Sequence, residues 1–314
     1  MNKTACFAMA GTAALITLGT VGCDKKAEAP APAPAAEAVP AAPAPQPDTA
    51  LEIDVFTSPE AAGAVNSTLL IGTSEVVVID AQFTKSAAEA VADRVTATGK
   101  SLTAVFITHA HPDHYLGTAV LAKRFPKARF VATPDVVAAM KASATAVAEA
   151  RKDMLGPEFP GMPIIPEPVD SLAVDGVEIE LMPGIQGDAD PITVAYVRDQ
   201  GTLIASDVAY ADVHLWTATT DDDARVRWSE AATKLAALPG LERVIPGHQL
   251  ASSKQTPAVF ASTRQYIEAF NAAAAKADSA EELAKAMTSG EYEALAGRLF
   301  LDLGVQARYA AEGE

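Results

Sequence analysis

From residue 51 onward the chain alternates between two hydrophobic periods. Leu51–Phe56, Ser67–Ile71, Glu75–Ile79 and Leu102–Thr108 are short apolar runs rich in β-branched residues, and turn residues bound them. They predict strands, the second and third joined by the Gly72-Thr-Ser turn into a hairpin that ends at Asp80. Thr84 to Thr98 sets Ala88, Val91 and Val95 on one face, opens on a capping threonine and closes at Gly99, so it predicts a helix. Tyr115 to Phe125 carries the same helical spacing, and Arg129–Ala132 reads as a short strand. Thr133-Pro134 then opens a helix to about Leu155, with Thr133 as N-cap and proline in the first turn.

Five prolines between Gly156 and Pro168 forbid a regular ladder there and predict a surface loop, placed to wall or cover a site. Leu172–Val174 and Val177–Met182 flank Asp175-Gly176, a hairpin signal, and Ile192–Val197 pairs with Leu203–Ser206 around Asp199-Gln-Gly201. Ser229–Leu238 predicts a helix and Arg243–Ile245 a strand; everything after Thr256 reads as helical. Strands and helices thus alternate once on each side of the long central helix. The expected class is α/β: two mixed sheets face to face with helices outside.

The N-terminus is built differently. Residues 1–22 combine Lys3 with a short apolar run from Ala8 to Leu18, the signature of a secretory signal. Thr20-Val21-Gly22-Cys23 resembles the lipobox of bacterial lipoproteins, with Thr20 where leucine is usual, so Cys23 is the expected lipidation site. Ala27 to Pro47 is nearly all Ala, Pro and Glu and cannot form a core; residues 23–49 read as a tether. Residues 50–314 then form one domain with a helical tail from about 256. The expected location is periplasmic, the lipid holding the chain to the inner or the outer membrane. Cys6 leaves with the signal, so the fold has no disulfide and no cysteine ligand. A formal net charge of −16 disfavours nucleic acid as a partner. Oligomeric state is left open.

Three of the five histidines fall within residues 109–114, His-Ala-His-Pro-Asp-His, just past the strand ending at Thr108. Neutral imidazoles and a carboxylate gathered on a strand-to-helix loop suit zinc or a similar divalent ion. Asp207 and His248 follow two further buried strands, where a polar residue has no packing reason to be. Three strand ends each delivering a ligand point to one centre.

On these residues the chain resembles the metallo-β-lactamase superfamily. Its His-x-His-x-Asp-His signature matches His109, His111, Asp113 and His114; the later Asp matches Asp207, the closing Gly-His is Gly247-His248, and Asp80 matches a carboxylate behind the metal loop. The resemblance covers about Leu51 to Leu250 and implies an αββα sandwich. It also implies a first metal on His109 and His111, a second on Asp113, His114 and His248, and Asp207 bridging. The chain departs from the family at one place, where Gln186 stands for the third histidine of the first metal. Either Asp188 or Asp190 replaces it, or the first site is weak or empty.

The expected activity is hydrolysis of a small ester, lactone, amide or related substrate by metal-activated water, with one or two zinc ions and manganese or iron as substitutes. Asp113 orients or deprotonates the water, and His214, beside Trp216, is the candidate proton donor. Trp216, Tyr210 and Phe159 either line an apolar pocket or pack the core. Two rival readings remain: a metal-binding or ligand-sensing module weakened in catalysis, and a β-lactamase, which fits the compartment but not the bridging Asp207.

Overall fold

The strand-forming runs of the first half assemble into one sheet in a computed structural model that describes residues 50–310. Its strands are β1 (Glu52–Thr57), β2 (Asn66–Ile71), β3 (Glu75–Ile79), β4 (Ser101–Phe106), β5 (Arg129–Ala132) and β6 (Glu167–Pro168), in the order β1-β2-β3-β4-β5-β6. β1, β2 and β3 are antiparallel neighbours, whereas β3 through β6 run parallel. The second half supplies β7 (Leu172–Val174), β8 (Val177–Ile185), β9 (Ile192–Val197), β10 (Thr202–Ala211) and β11 (Arg243–Gln249), ordered β11-β10-β9-β8-β7. In this second sheet only the β10–β11 pair is parallel. All these residues belong to one compact unit, Pro47–Glu314.

Strand alternation builds the layers. In β2 and β3, Leu70, Val77 and Ile79 face the same middle core as Phe106, Ala195, Val197, Ile204 and Ile245 of the other strands. Their neighbours Leu69, Val76 and Val78 face outward onto Val91 and Val95 of α1 (Lys85–Ala97) and Met140 of α4 (Pro134–Leu155). Val194, Leu203 and Val244 face the opposite outer core, with Trp228 of α5 (Asp222–Ala236) and Phe260 and Phe270 of α6 (Ala258–Ala274). The central strands β2, β3, β9, β10 and β11 are thus buried on both faces, which is why these runs read as continuous apolar stretches. The αββα sandwich expected from the sequence is the fold.

Several boundaries differ for local reasons. The helix expected over Tyr115–Phe125 is two helices, α2 (Pro112–Tyr115) and α3 (Thr118–Arg124). Between them Gly117 presses so close to the loop after β3 that a Cβ would sit 1.7 Å from the Ala81 carbonyl oxygen. The Thr133 side chain makes no cap; its hydroxyl pairs at 2.6 Å with that of Thr193 across the sheets. Thr84 does cap α1, accepting from the Ala87 N–H. α5 begins at Asp222 rather than Ser229, because Asp221 accepts from the Ala224 N–H at 2.7 Å. The proline-rich stretch ends as the edge strand β6, and Phe159 packs on the α1–α4 core.

The tail is helical, with α7 (Ala280–Ala286) and α8 (Arg298–Ala310) following α6. The expected signal, Cys23 and most of the tether lie outside the described residues. Among the described residues no helix is long and apolar enough to cross a membrane.

Candidate metal centre

The C-terminal ends of the parallel strands β3, β4, β10 and β11 open on one edge of the sandwich, where α/β sheets place their ligands. The loop after β4 carries His109 and His111, and α2 carries Asp113 and His114. In β10 the ladder slips around Ser206, which takes a left-handed φ of 47° and turns Asp207 inward. His248 lies near the end of β11. Gly247 is required for the fit: a Cβ there would stand 1.7 Å from Asp207 Oδ1. Asp80, also at positive φ, sits directly behind the β4 loop. Strained backbone at Asp80 and Ser206 is the local cost of converging the strand ends.

Two groups of side chains meet there. His109, His111, Asp188 and Asp207 form one, and Asp113, His114 and His248 the other, the potential ligand atoms of each lying within 4.8 Å of one another. In the first, His111 Nδ1 is 3.2 Å from Asp188 Oδ2, and His109 Nε2 is 3.4 Å from Asp207 Oδ2. In the second, His248 Nε2 is 3.3 Å from Asp113 Oδ2 and His114 Nε2 is 3.7 Å from the same oxygen. Asp207 touches both groups, with Oδ1 3.2 Å from His114 Nε2 and Oδ2 3.3 Å from His248 Nε2. Two donors each about 2.1 Å from a tetrahedral ion stand about 3.4 Å apart. The observed spacings match that figure.

Hydrogen bonds behind the cluster fix which nitrogen faces inward. His114 Nδ1–H donates to Asp80 Oδ2 at 2.7 Å, and His248 Nδ1–H donates to the Gly63 carbonyl at 2.7 Å. Thr108 donates its hydroxyl to Asp80 and accepts from His109 Nδ1–H at 3.0 Å. All three rings therefore turn Nε2 to the centre. His109 Nε2, His114 Nε2, Asp188 Oδ1 and Asp207 Oδ1 are buried, with no hydrogen-bond partner among the described residues. Buried polar atoms without partners are costly, and four aimed at one point call for a cation.

Electrostatics say the same. Burial disfavours the charge on Asp207, yet His114, His248 and His109 hold it well below the usual carboxylate range. Burial also opposes ionised Asp113, which His114 and His248 nonetheless hold below its ordinary value. Asp188 goes the other way, raised by burial and by the neighbouring Asp207. Burial alone would lower His248, but Asp207 and Asp113 outweigh it and lift it to about 10; His114 is raised well above its ordinary value in the same way, against burial, chiefly by Asp207 and Asp80. The carboxylates demand positive charge, which either protons on imidazoles or a divalent ion supplies. The donor set, imidazole and carboxylate without thiolate, fits zinc, manganese or iron.

The expected residues separate cleanly in space. His109, His111, Asp113, His114, Asp188, Asp207 and His248 converge. Gln186 does not face the centre: its Nε2 donates to the Gly187 and Ala189 carbonyls, and its Oε1 accepts from Arg227 at 3.1 Å. Asp190 is exposed, so of the two aspartates it is Asp188 that stands among the histidines. His214 does not join the cluster. It is 1 % exposed and pairs through Nδ1 with the Tyr266 hydroxyl at 3.0 Å. Burial, with Arg298 adding to it, lowers its pKa to about 4, and none of the cluster's carboxylates acts on it. A proton donor at neutral pH needs the opposite setting.

Three further neighbours complete the surroundings of the centre; of these the sequence named only Tyr210, as a residue of either an apolar pocket or the core. Tyr210 is buried, stacks on His248 with ring centres 5.0 Å apart, and donates its hydroxyl to Asp188 Oδ2 at 2.8 Å. Its position three residues after Asp207 on one strand was the available signal. Thr108 orients His109, and Phe300 of α8 meets the His248 ring edge-on at 5.0 Å.

A family model described as the metallo-beta-lactamase superfamily matches residues 61–248, from just before β2 through the last histidine. No curated protein matches the chain. Among solved structures, it is similar to a metallo-beta-lactamase family protein from Thermus thermophilus, at 22% identity and TM-score 0.59, over 84% of this chain and 93% of that one. A beta-lactamase domain protein from Burkholderia ambifaria is similar at 16% identity and TM-score 0.58, over 84% and 87%. The stereoselective inverting sec-alkylsulfatase Pisa1 from Pseudomonas sp. is similar at 19% identity and TM-score 0.55, over 82% of this chain and 48% of that one. At these identities the likeness is one of fold.

Proposed function

The chain belongs to the metallo-beta-lactamase superfamily, and from that premise we propose that it is a zinc-dependent hydrolase of a small ester, lactone, amide or related substrate, working in the periplasm from a lipid anchor on Cys23. The observation that carries the reading is the set of four buried, partnerless atoms on His109, His114, Asp188 and Asp207, directed at one another. His109, His111 and Asp188 would hold one ion, Asp113, His114 and His248 a second, with Asp207 common to both. When bound, the metal lowers the pKa of water and polarises the bond under attack.

The chain's own residues divide the remaining work. Asp80, Thr108 and the Gly63 carbonyl hold three imidazoles in a single tautomer. Asp113 is 19 % exposed on its side chain, so it reaches the incoming water, which it orients or relieves of a proton. The weakened-module reading rested on the missing third histidine; Asp188, beside His109 and His111, would serve in its stead.

The test is metal analysis of the full chain purified in detergent, followed by nitrocefin, acyl-lactone, aryl-ester and phosphodiester substrates. Retention of one or two divalent ions and turnover of an acyl substrate are expected. A folded chain that binds no zinc, manganese or iron sinks the proposal. Nitrocefin turnover alone would make the protein a β-lactamase. Radiolabelled palmitate incorporation, lost in Cys23→Ala, checks the anchor.

A further inference from the structure

Among the seven candidate ligands, solvent reaches chiefly two side chains. His111 and Asp113 are 18 % and 19 % exposed on their side chains, whereas His109, His114, Asp188, Asp207 and His248 are at 1 % or less. Substrate therefore enters beside His111 and Asp113. Two half-buried aromatic rings stand at that mouth. Trp216 lies edge-on to His111 with ring centres 6.4 Å apart, and Phe300 lies edge-on to His248 at 5.0 Å. The two rings meet each other at 5.8 Å and 86°. They thus form a continuous wall from a histidine of one ligand group to a histidine of the other.

Both rings are held in place from behind. Trp216 spends its one polar group on Thr219, donating Nε1–H to Oγ1 at 3.1 Å, and Thr219 donates in turn to the Asp188 carbonyl. The wall is thereby tied to the loop that carries a candidate ligand, and its exposed face is apolar. Phe300 comes from the helical tail. The chain before α8 docks on the segment after β10: His214 N–H donates to the Ala296 carbonyl, and Ala296 N–H to that of Asp212. Gly297, in a left-handed turn, donates its N–H to Glu60 at 2.9 Å. These bonds set the first turn of α8 at the mouth.

We propose that Trp216 and Phe300 form a subsite for an uncharged alkyl or aryl group of the substrate, held next to the bond that is cleaved. The proposal rests on the hydrolase reading for its chemistry. Aromatic faces bind either apolar groups or cations. A cation is disfavoured a few ångströms from a divalent metal, which leaves the apolar group.

Two measurements on the full-length, zinc-loaded chain test the subsite. The first compares p-nitrophenyl acetate with p-nitrophenyl octanoate. Octanoate is the better substrate, and Phe300→Ala lowers kcat/KM for it about tenfold more than for acetate, the scale of a lost apolar contact. Leu299→Ala, one residue away and 65 % exposed, leaves that ratio unchanged. Phe300→Leu, which keeps apolar bulk, recovers most of the preference and guards against a loss of folding.

The second measurement needs no turnover. Free octanoate, unlike acetate, changes Trp216 emission, while Trp228 is buried in the core. The change disappears in Trp216→Phe and needs about tenfold more octanoate in Phe300→Ala. Octanoate binding through these rings without any ester hydrolysis would overturn the hydrolase reading and support the subsite. Ester hydrolysis with no chain-length preference, or with one that survives Phe300→Ala, would overturn the subsite alone.

Discussion

The two ligand groups are built from similar residues but supported differently. In the group of Asp113, His114 and His248, both imidazoles are backed by buried acceptors, the Asp80 carboxylate and the Gly63 carbonyl. In the group of His109, His111 and Asp188, only His109 has comparable backing, from Thr108. His111 is partly open to solvent, and Asp188 is steadied by the Tyr210 hydroxyl and a backbone bond to the Asp207 carbonyl. Rigid partners behind a ligand raise metal affinity by fixing its tautomer and direction. The second group should therefore bind first and release last.

Asp207 is where the comparison breaks outright, because it faces both groups. Asp207→Asn should leave the chain with less than about a tenth of its bound metal and at least a hundredfold less turnover, as even outer partners of a ligand cost about 10–100-fold. Elemental analysis and substrate kinetics on one preparation read both. Metal retained at full stoichiometry would show that Asp207 does not serve both groups.

Separating the groups comes next. His248→Ala should abolish the tighter binding event and cut activity by about a hundredfold, whereas Asp188→Ala should abolish only the weaker one, with a loss nearer tenfold. Calorimetric zinc titrations of the metal-free variants distinguish the events. If Asp188→Ala leaves the titration unchanged, Asp188 is not a ligand and the first group is incomplete.

The legibility of the two groups from sequence parallels their construction. His109, His111, Asp113 and His114 lie within six residues after a run that reads as a buried strand, so local spacing placed them together. Asp207 and His248 follow strands as well, and the layered fold brings those ends to one edge. Asp188 was ambiguous because it sits in a loop where spacing does not tell which side chain turns inward. Arg227, on a helix distant in sequence, decides it by binding Gln186. His214 was misplaced for a related reason. It follows Asp207 closely, but the chain has left β10 at Ala211, and α6 offers it the Tyr266 hydroxyl. Phe300 had no signal at all, since backbone pairing at Ala296 brings α8 to the mouth.

Smaller effects follow from the backing residues. Asp80→Asn removes the charged acceptor of His114 and should weaken the tighter binding event about 10–100-fold, leaving the weaker one within about threefold. Tyr210→Phe removes the donor to Asp188, with a longer bond to Asp207, and should weaken chiefly the looser event, by about tenfold, the scale of one hydrogen bond to a charged group. Equal effects of both variants on both events would mean that the groups act as a single cluster.

The smallest effect expected on the metal centre belongs to His214, and it shows that the carboxylates, not burial, set the behaviour of the other histidines. His214 and His248 are both buried, yet one is lowered to about 4 and the other raised to about 10 from an ordinary value of 6.5. A lowered histidine contributes stability that is complete above pH 6.5 and lost as pH falls towards 4; a raised one contributes stability that is complete below 6.5 and lost as pH rises through 10. The Tm of the metal-free chain should therefore fall on both sides of pH 6.5. His214→Gln should flatten the acid side only, and zinc the alkaline side only. Zinc content and kcat of His214→Gln at about pH 7 should stay within about twofold of the parent, as expected for a change outside the reacting groups. Loss of turnover with an unchanged acid profile would return His214 to the reaction, because a residue acting only through packing moves the melting curve and leaves the chemistry alone.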